Sequence, residues 1–147
     1  MVKKKLLNIK HTRHPNQKTK MKQLLKEGVC PFCPKYLEKY HDSPILKKGK
    51  YWSITLNDYP YSETKYHFLI ISKKHLVKAS EISRLAGTEL IDHLNWLSKK
   101  YKINTGIFLM RFGDTKKTGA TVEHLHYHLI VGSRKDQALQ FFVGYKK

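Results

Sequence analysis

Residues 124–130 read His124-Leu125-His126-Tyr127-His128-Leu129-Ile130, with a histidine at every second position. Side chains of an extended strand alternate between the two faces of a sheet, so the spacing predicts three imidazoles on one face and apolar residues on the other. Imidazole titrates near neutral pH and serves as nucleophile, proton donor or metal ligand. The row therefore predicts a chemical face on a core strand. The alternatives are a solvent-facing polar strand edge and an adventitious metal site.

Length and hydropathy indicate one ordinary domain. A chain of 147 residues supports a single hydrophobic core. No apolar run approaches the roughly 18 residues of a membrane span, and the N-terminus lacks the apolar segment of a secretory signal. We therefore expect a soluble, cytoplasmic protein that does not enter membranes.

Charge indicates polyanionic partners. The chain has 29 Lys+Arg against 11 Asp+Glu and a formal net charge of +18. Such a field concentrates nucleotides, nucleic acid or anionic membrane surfaces, although many individual lysines serve only as solvated surface. Residues 1–28 are strongly basic and lack apolar periodicity. We expect them to be a basic arm, disordered or weakly helical around 21–26, with residues 29–147 forming the globular domain.

The two cysteines form the motif Cys30-Pro31-Phe32-Cys33. This spacing suits a redox pair, a disulfide or half of a zinc site. A cytosolic setting disfavours a permanent disulfide, and the basic segment before the motif and Pro34 after it disfavour a thioredoxin-like unit. A metal site is the favoured interpretation if two further ligands exist.

Hydrophobic patterning predicts an α+β domain with a largely antiparallel sheet. One helix is expected from Ser80 or Ser83 to Lys100, since Ser suits a helix N-cap and apolar residues recur there at helical spacing. The predicted strands cover residues 51–56, 67–72, 105–112 and 122–131, with a loop at 113–119.

The histidine row, the small-residue loop before it and the upstream segment His67-Phe68-Leu69-Ile70-Ile71-Ser72-Lys73-Lys74-His75 together resemble the histidine triad (HIT) superfamily of nucleotide hydrolases and transferases. The resemblance covers about residues 30–134. It implies a HIT-like fold, namely a largely antiparallel sheet of about five strands with one main helix and a zinc-stapled N-terminal segment. It also implies a homodimer.

The resemblance further implies attack on the α-phosphate of a nucleotide conjugate or dinucleoside polyphosphate, with a purine nucleotide as first guess. His126 would form a covalent nucleotidyl-histidine, and His128 would hydrogen-bond the phosphate or protonate the leaving group. Thr121 would contact the phosphate and Gly119 would let backbone amides approach it. His67 would lie near the same pocket. The alternative for His67 is a buried strand histidine with a structural hydrogen bond.

The resemblance to zinc-containing bacterial members implies a structural Zn²⁺ held by Cys30, Cys33, His75 and His124. A closed Cys2His2 shell leaves no open position for substrate, so such a metal would only stabilise the fold. The alternative is two buried thiols. The segment Asn57-Asp58-Tyr59-Pro60-Tyr61 resembles one in the diadenosine polyphosphate phosphorylase and hydrolase branch, where the asparagine holds the ribose hydroxyls, so the resemblance implies Asn57 as the ribose ligand. Asp58 is the alternative for this role, and either residue could be an ordinary turn former.

Two departures from the family pattern leave the substrate class open. Ala120 stands where many members have a glutamine, and Arg111 where the preceding strand often offers an asparagine. Arg111 could bind phosphate in place of the missing amide, or lie on the surface. The basic composition keeps a rival hypothesis open, a nucleic-acid-binding or DNA/RNA-end deadenylylating module with weak binding through the basic arm. A nucleotide-binding regulator is a third possibility, disfavoured because all three histidines are present.

Overall fold

A computed structural model describes residues 6–133, 140, 141, 143 and 144. Five strands form one antiparallel sheet in the spatial order β1-β2-β3-β5-β4. The strands are β1 (Ile45–Lys48), β2 (Trp52–Leu56), β3 (Thr64–Ser72), β4 (Ile107–Met110) and β5 (His126–Gly132). The predicted α+β class and the largely antiparallel sheet of about five strands are confirmed.

Four α-helices accompany the sheet in the described residues: α1 (Pro15–Glu27), α2 (Pro34–Tyr40), α3 (Arg84–Lys100) and α4 (Thr115–Thr118). The main helix, α3, begins after Ser83, whose side chain accepts a hydrogen bond from the Ala86 amide. Its apolar stripe includes Leu90 and Leu97, which are buried in the same cluster as the sheet residues Trp52, Ile54, Phe68 and Ile70. One face of the sheet therefore packs on α3.

Strand β5 begins at His126, so the prediction of a strand from residue 122 is wrong at its start. Val122 instead forms an isolated antiparallel bridge with Leu7, and the Leu125 amide donates to the carbonyl of Leu76. His124 therefore lies in the segment before the strand. The regular alternation of the row applies to His126 and His128, while His124 is positioned separately.

The N-terminal segment packs against the sheet domain. The helix expected around residues 21–26 is present as part of a longer helix, and the expectation of disorder is wrong for residues 6–28. Helix α1 begins with Pro15 and ends at Gly28, whose φ of 69° is the left-handed conformation that favours glycine at a helix C-terminus. Leu7, Met21 and Leu24 are buried in one cluster with Cys30 and Val122. Residues 1–5 of the predicted arm lie outside the described residues. The division of the chain at residue 28 stays a prediction.

Three of these elements were not predicted from the sequence: the edge strand β1, the short helix α2 that follows Cys33, and the one-turn helix α4, which lies in the predicted loop 113–119. Helix α2 buries Leu37 against Leu69 and Ile71 of β3. It therefore covers part of the sheet face opposite α3. Across the described residues, no helix is both long and apolar enough to span a membrane.

Candidate active site and metal centre

A backbone bond fixes the ring of His126. Its Nδ1 lies 2.7 Å from the carbonyl oxygen of His124, which can only accept, so Nδ1 carries the proton and donates. In the neutral ring, Nε2 therefore keeps its lone pair. His126 is 6 % exposed and lines a pocket, so that lone pair belongs to a buried nitrogen at the edge of a cavity.

A second chain of hydrogen bonds fixes His128. The Tyr61 amide donates to Nδ1 of His67 at 3.1 Å, which leaves the proton of neutral His67 on Nε2. Nε2 of His67 lies 2.7 Å from Nδ1 of His128 and donates to it. The proton of neutral His128 is consequently on Nε2. The triad thus holds one ring with an available lone pair, His126, and one with an available N–H, His128.

Burial keeps these rings neutral. It lowers the pKa of His67 to about 3, with a smaller contribution from the Arg13 charge, and the pKa of His126 to about 4. For His126 the hydrogen bond to the His124 carbonyl partly offsets burial. Burial also lowers the pKa of His128 well below its usual value. An uncharged imidazole is the form that acts as a nucleophile at neutral pH.

Gly119 and Thr121 lie in the loop between α4 and β5, beside His126 and His128 in the same pocket. Gly119 ends α4 with a φ of 77°, which another residue would adopt only with strain. The N-terminal segment holds this loop, since the Asn8 amide donates to the Thr121 carbonyl at 2.7 Å and His11 Nδ1 lies 3.0 Å from the Ala120 carbonyl. The loop is thus held by residues far away in sequence.

Arg111 lines the same pocket and is half-buried. Its Nη1 donates to the hydroxyl of Tyr61 at 3.0 Å. The Tyr61 ring lies parallel to that of His128, with 6.1 Å between centroids. The structure therefore places the Arg111 guanidinium beside the triad, and the alternative of an ordinary surface residue does not describe its position.

Asn57 and Asp58 both reach the other end of the pocket. The Asn57 side-chain oxygen accepts from the Tyr59 amide at 2.9 Å. Asp58 accepts from the amides of Asp42 and Ser43, and its carboxylate lies 3.1 Å from Nδ1 of His41. The Asp58 carboxylate is thus engaged in holding the segment after α2 against β2. The Asn57 side-chain nitrogen lies 3.3 Å from Nε2 of His67, so both residues already have partners in the fold.

Helix α1 narrows the end of this pocket at which Asn57 and Asp58 lie. Gln17, Lys20, Met21 and Leu24 are among the lining residues, and the cavity measures about 70 Å³. Pockets that hold small-molecule ligands typically measure about 300–1,000 Å³. A nucleoside therefore fits only if side chains of α1 move aside.

The four predicted metal ligands lie together, with ligand atoms all within 4.8 Å of one another. Cys30 Sγ is 3.4 Å from His124 Nδ1, and Cys33 Sγ is 3.4 Å from His75 Nδ1. The two Nδ1 atoms are 3.2 Å apart. Tetrahedral zinc bonds of about 2.3 Å to sulfur and about 2.0 Å to nitrogen place ligand atoms about 3.3–3.8 Å apart. The cluster fits a structural zinc ion.

The protonation pattern supports the same conclusion. His124 Nε2 lies 2.6 Å from the Ser72 carbonyl and donates to it, so Nδ1 offers a lone pair to the cluster. Burial, with a smaller effect of Cys33, raises the pKa of the Cys30 thiol to about 12. A thiol in this position loses its proton when a cation compensates the charge. The buried Cys30 sulfur, the half-buried Cys33 sulfur and two imidazole nitrogens thus form a donor set that suits zinc.

Comparison of the chain with known protein families identifies the family to which it is similar. The HIT domain family matches residues 39–135, which is more than half of the chain. The chain belongs to the HIT family. This family comprises nucleotide hydrolases and transferases. A comparison with curated protein sequences finds no match.

Solved structures of HIT proteins share the fold. A HIT family hydrolase from Clostridium thermocellum is 26 % identical with a TM-score of 0.54, over 71 % of this chain and 90 % of that one. A histidine triad nucleotide-binding protein from Candida albicans is 26 % identical with a TM-score of 0.58, over 81 % and 84 %. A zinc-bound histidine triad protein from Mycobacterium smegmatis is 18 % identical with a TM-score of 0.53, over 74 % and 80 %.

The HIT site of this chain contains residues that the sequence analysis missed. Arg13 and Tyr61 line the pocket, and Phe32 lies edge-on against His126 with 4.9 Å between ring centroids. Tyr61 stands in the same Tyr-Pro-Tyr segment that pointed to Asn57, so a signal was present. Arg13 lies outside the HIT match and in a segment treated as an arm.

Proposed function

We propose that this HIT protein is a nucleotidyl hydrolase or transferase that acts at the α-phosphate of a purine nucleotide conjugate through a covalent intermediate on His126. The observation that carries the proposal is the bond from His126 Nδ1 to the His124 carbonyl. It leaves Nε2 as a lone-pair nitrogen at the pocket edge. Covalent catalysis divides one displacement into two easier steps.

In the first step, Nε2 of neutral His126 attacks the α-phosphorus. The Nε2–P bond forms while the bond to the leaving group breaks, and the electron pair departs with the leaving group. In the second step, the oxygen of water or phosphate attacks phosphorus and the P–N bond breaks. Its electron pair returns to Nε2, and any proton of the attacking water passes to solvent.

Charge develops on the phosphoryl oxygens during both steps, and the pocket offers donors for it. In this proposal Nε2–H of His128 donates to the phosphate, and the backbone near Gly119 lies in the same pocket. The Thr121 hydroxyl donates to the His11 carbonyl at 3.4 Å and turns from it to the phosphate when substrate binds. The Arg111 guanidinium takes the place of the amide that Ala120 lacks. Donors that are already oriented stabilise a transition state without reorganisation.

The nucleoside lies at the other end of the pocket in this proposal. Asn57 binds the ribose hydroxyls, and the Phe32 and Tyr40 rings offer apolar surface for a purine. Side chains of α1 such as Gln17 and Met21 move aside to admit it. Structural zinc, held by the Cys2His2 cluster, supplies no reacting group and instead fixes the segment that carries Phe32 and His124.

The decisive test is substitution of the nucleophile. His126→Asn should lower turnover of diadenosine tetraphosphate by at least about 10⁴-fold, because no lone-pair nitrogen remains to form the intermediate. Mass spectrometry of the wild type should detect an adenylylated peptide that contains His126. The exposed His14→Asn is the matched control and should retain full turnover. Undiminished turnover by His126→Asn would refute the proposal.

Assembly and location complete the proposal. A homodimer is consistent with the exposed Ile107 at the start of the edge strand β4, since an edge strand offers unpaired backbone groups to a second copy. A cytoplasmic location suits the two cysteines, which form no disulfide with each other and stay reduced, as zinc ligands must, in a reducing compartment. Analytical ultracentrifugation measures the oligomeric state.

Nucleic-acid end deadenylylation is the second candidate. It is favoured by one observation, the exposed lysines Lys18, Lys22 and Lys26 along α1, whose buried side lines the pocket. Such a row suits contacts with a phosphate backbone. Binding of adenylated DNA or RNA ends that weakens steeply with salt would favour it, and salt-independent turnover of free dinucleotides would favour the first proposal.

A further inference from the structure

Arg13 reaches the active site from outside the matched HIT domain. Its Nη2 donates to the Tyr59 carbonyl at 2.6 Å, and its guanidinium lies 4.2 Å from the centre of the Tyr61 ring. The residues before Arg13 are held to the loop between α4 and β5 by the hydrogen bonds of Asn8 and His11. The position of Arg13 is therefore built by the N-terminal segment.

Arg13 and Arg111 approach the same tyrosine. Arg111 binds the Tyr61 hydroxyl, and Arg13 covers the Tyr61 ring. Desolvation first, and the Arg111 charge to a lesser extent, lower the pKa of Arg13. Within the described part of the chain, no carboxylate forms an ion pair with Arg13. Two neighbouring cations that repel each other gain from an anion placed between them.

A second cavity lies next to these two arginines. It measures about 470 Å³. Neither Asn57 nor Phe32 lines it, so the cavity lies away from the nucleoside end of the reaction pocket. It shares Arg13, Tyr61, Arg111 and Gly119 with the reaction pocket, and adds Lys10, His11 and Phe141. Its volume suits a ligand of nucleotide size. The cavity is therefore an extension of the reaction pocket on the phosphate side, lined by three cationic side chains and by the rings of Tyr61 and Phe141.

We propose that this cavity binds a polyphosphate leaving group, with Arg13, Arg111 and Lys10 as its phosphate ligands. The inference rests on the proposed function and applies to those of its substrates in which the α-phosphate is joined to further phosphates; what it adds is the role of Lys10 and Arg13, which lie outside the matched HIT domain. Phe141 offers a ring for the base of a second nucleoside. Guanidinium groups bind phosphate through two parallel hydrogen bonds, so Arg13 contributes more than a diffuse charge.

The test compares two substrates that present the same adenylyl group to His126. Diadenosine tetraphosphate has a polyphosphate leaving group, and adenosine 5′-phosphoramidate has an amine. Arg13→Gln should lower kcat/KM for the tetraphosphate by about tenfold or more and leave the phosphoramidate within about twofold. Arg13→Lys should recover part of the loss. Arg84→Gln, on the exposed side of α3, is the control and should change neither.

Direct binding of inorganic tripolyphosphate tests the assignment of Arg13 separately from the proposed catalytic function of His126. Calorimetry should show that Arg13→Gln weakens tripolyphosphate binding by about tenfold, with circular dichroism unchanged. Equal losses for both substrates, or unchanged tripolyphosphate affinity, would overturn the assignment of Arg13. If the wild type turns over neither substrate, the proposed function fails. The tripolyphosphate measurement then decides the cavity alone.

Discussion

His67 controls the triad although it is absent from the pocket wall. It receives the Tyr61 amide on one ring nitrogen and donates to His128 through the other. This order of donors requires a neutral His67, because a second ring proton would leave Nδ1 facing the Tyr61 N–H with no acceptor. The hydrogen bonds that His128 can form therefore depend on His67. This residue lies on the adjacent strand β3, two residues before Leu69, which pairs with His128.

A neutral, buried His67 makes stability depend on pH. Burial lowers its pKa to about 3, whereas the unfolded chain has the ordinary value. Between these values only the unfolded state takes up the proton, so stability is present above about pH 6.5 and falls as pH falls toward 3. His67→Asn should reduce the loss of unfolding free energy between pH 7 and pH 5 by about 2 kcal/mol.

Urea denaturation at the two pH values measures this difference. The unfolding free energy of wild type and His67→Asn is compared at each pH, with the exposed His14→Asn as control. An unchanged pH dependence in His67→Asn would show that His67 binds a proton in the folded protein.

At the residue scale, the sequence was most informative where residues close in sequence act together. The two-residue period predicted that His126 and His128 share a face, and the Cys-x-x-Cys spacing predicted half of a metal site. Arg13 was not predictable in this way. It reaches Tyr61 only because Leu7, Met21 and Leu24 are buried against the loop before β5, and no local pattern specifies that contact.

Helix α1 is the element that most changes the expected organisation. The signals for its ends were present, since Pro15 suits the first turn and Gly28 a left-handed C-terminus. The basic composition of residues 1–28 outweighed them, because a few apolar residues among many lysines do not show a strong helical period. The helix is stabilised by its contacts with the rest of the fold more than by its own sequence.

Two adjacent leucines of α1 provide a test of that docking. Leu24 is 1 % exposed and Leu25 is 38 % exposed. Leu24→Ala should lower the unfolding free energy by about 3 kcal/mol, because it leaves a cavity in the cluster around Leu7 and Val122. Leu25→Ala should change it by less than about 0.5 kcal/mol.

Chemical denaturation monitored by tryptophan fluorescence measures both variants. Equal values for the two leucines would contradict the docked position of α1. The same result would support residues 1–28 as an arm independent of the domain that follows.

At the scale of the whole molecule, the metal cluster joins segments that are far apart in sequence. Cys30 and Cys33 precede α2, His75 follows β3, and His124 precedes β5. A link of this kind removes conformational freedom from the unfolded chain and contributes directly to folding. Four strands of the sheet and α3 could be predicted from hydrophobic patterning, whereas the closure of the N-terminal segment on them depends on these long-range ligands.

Removal of the metal should therefore destabilise the whole domain. Purified protein should contain about one zinc per chain by elemental analysis, and a strong chelator should lower Tm by about 10 °C or more. The variant Cys30→Ser/Cys33→Ser should start from the lower Tm and respond little to the chelator. Absence of stoichiometric zinc together with an unchanged Tm would leave two buried thiols as the correct interpretation.

The side chain and the backbone carbonyl of His124 have different roles. Its side chain faces the metal cluster, but the group that orients His126 is its backbone carbonyl, which every amino acid possesses. A cysteine or an aspartate at position 124 could therefore ligate a metal and still present the same carbonyl to the nucleophile. Sequence searches that require all three histidines of the row would overlook proteins with the same chemistry. A pattern that fixes only the second and third histidines would recover them.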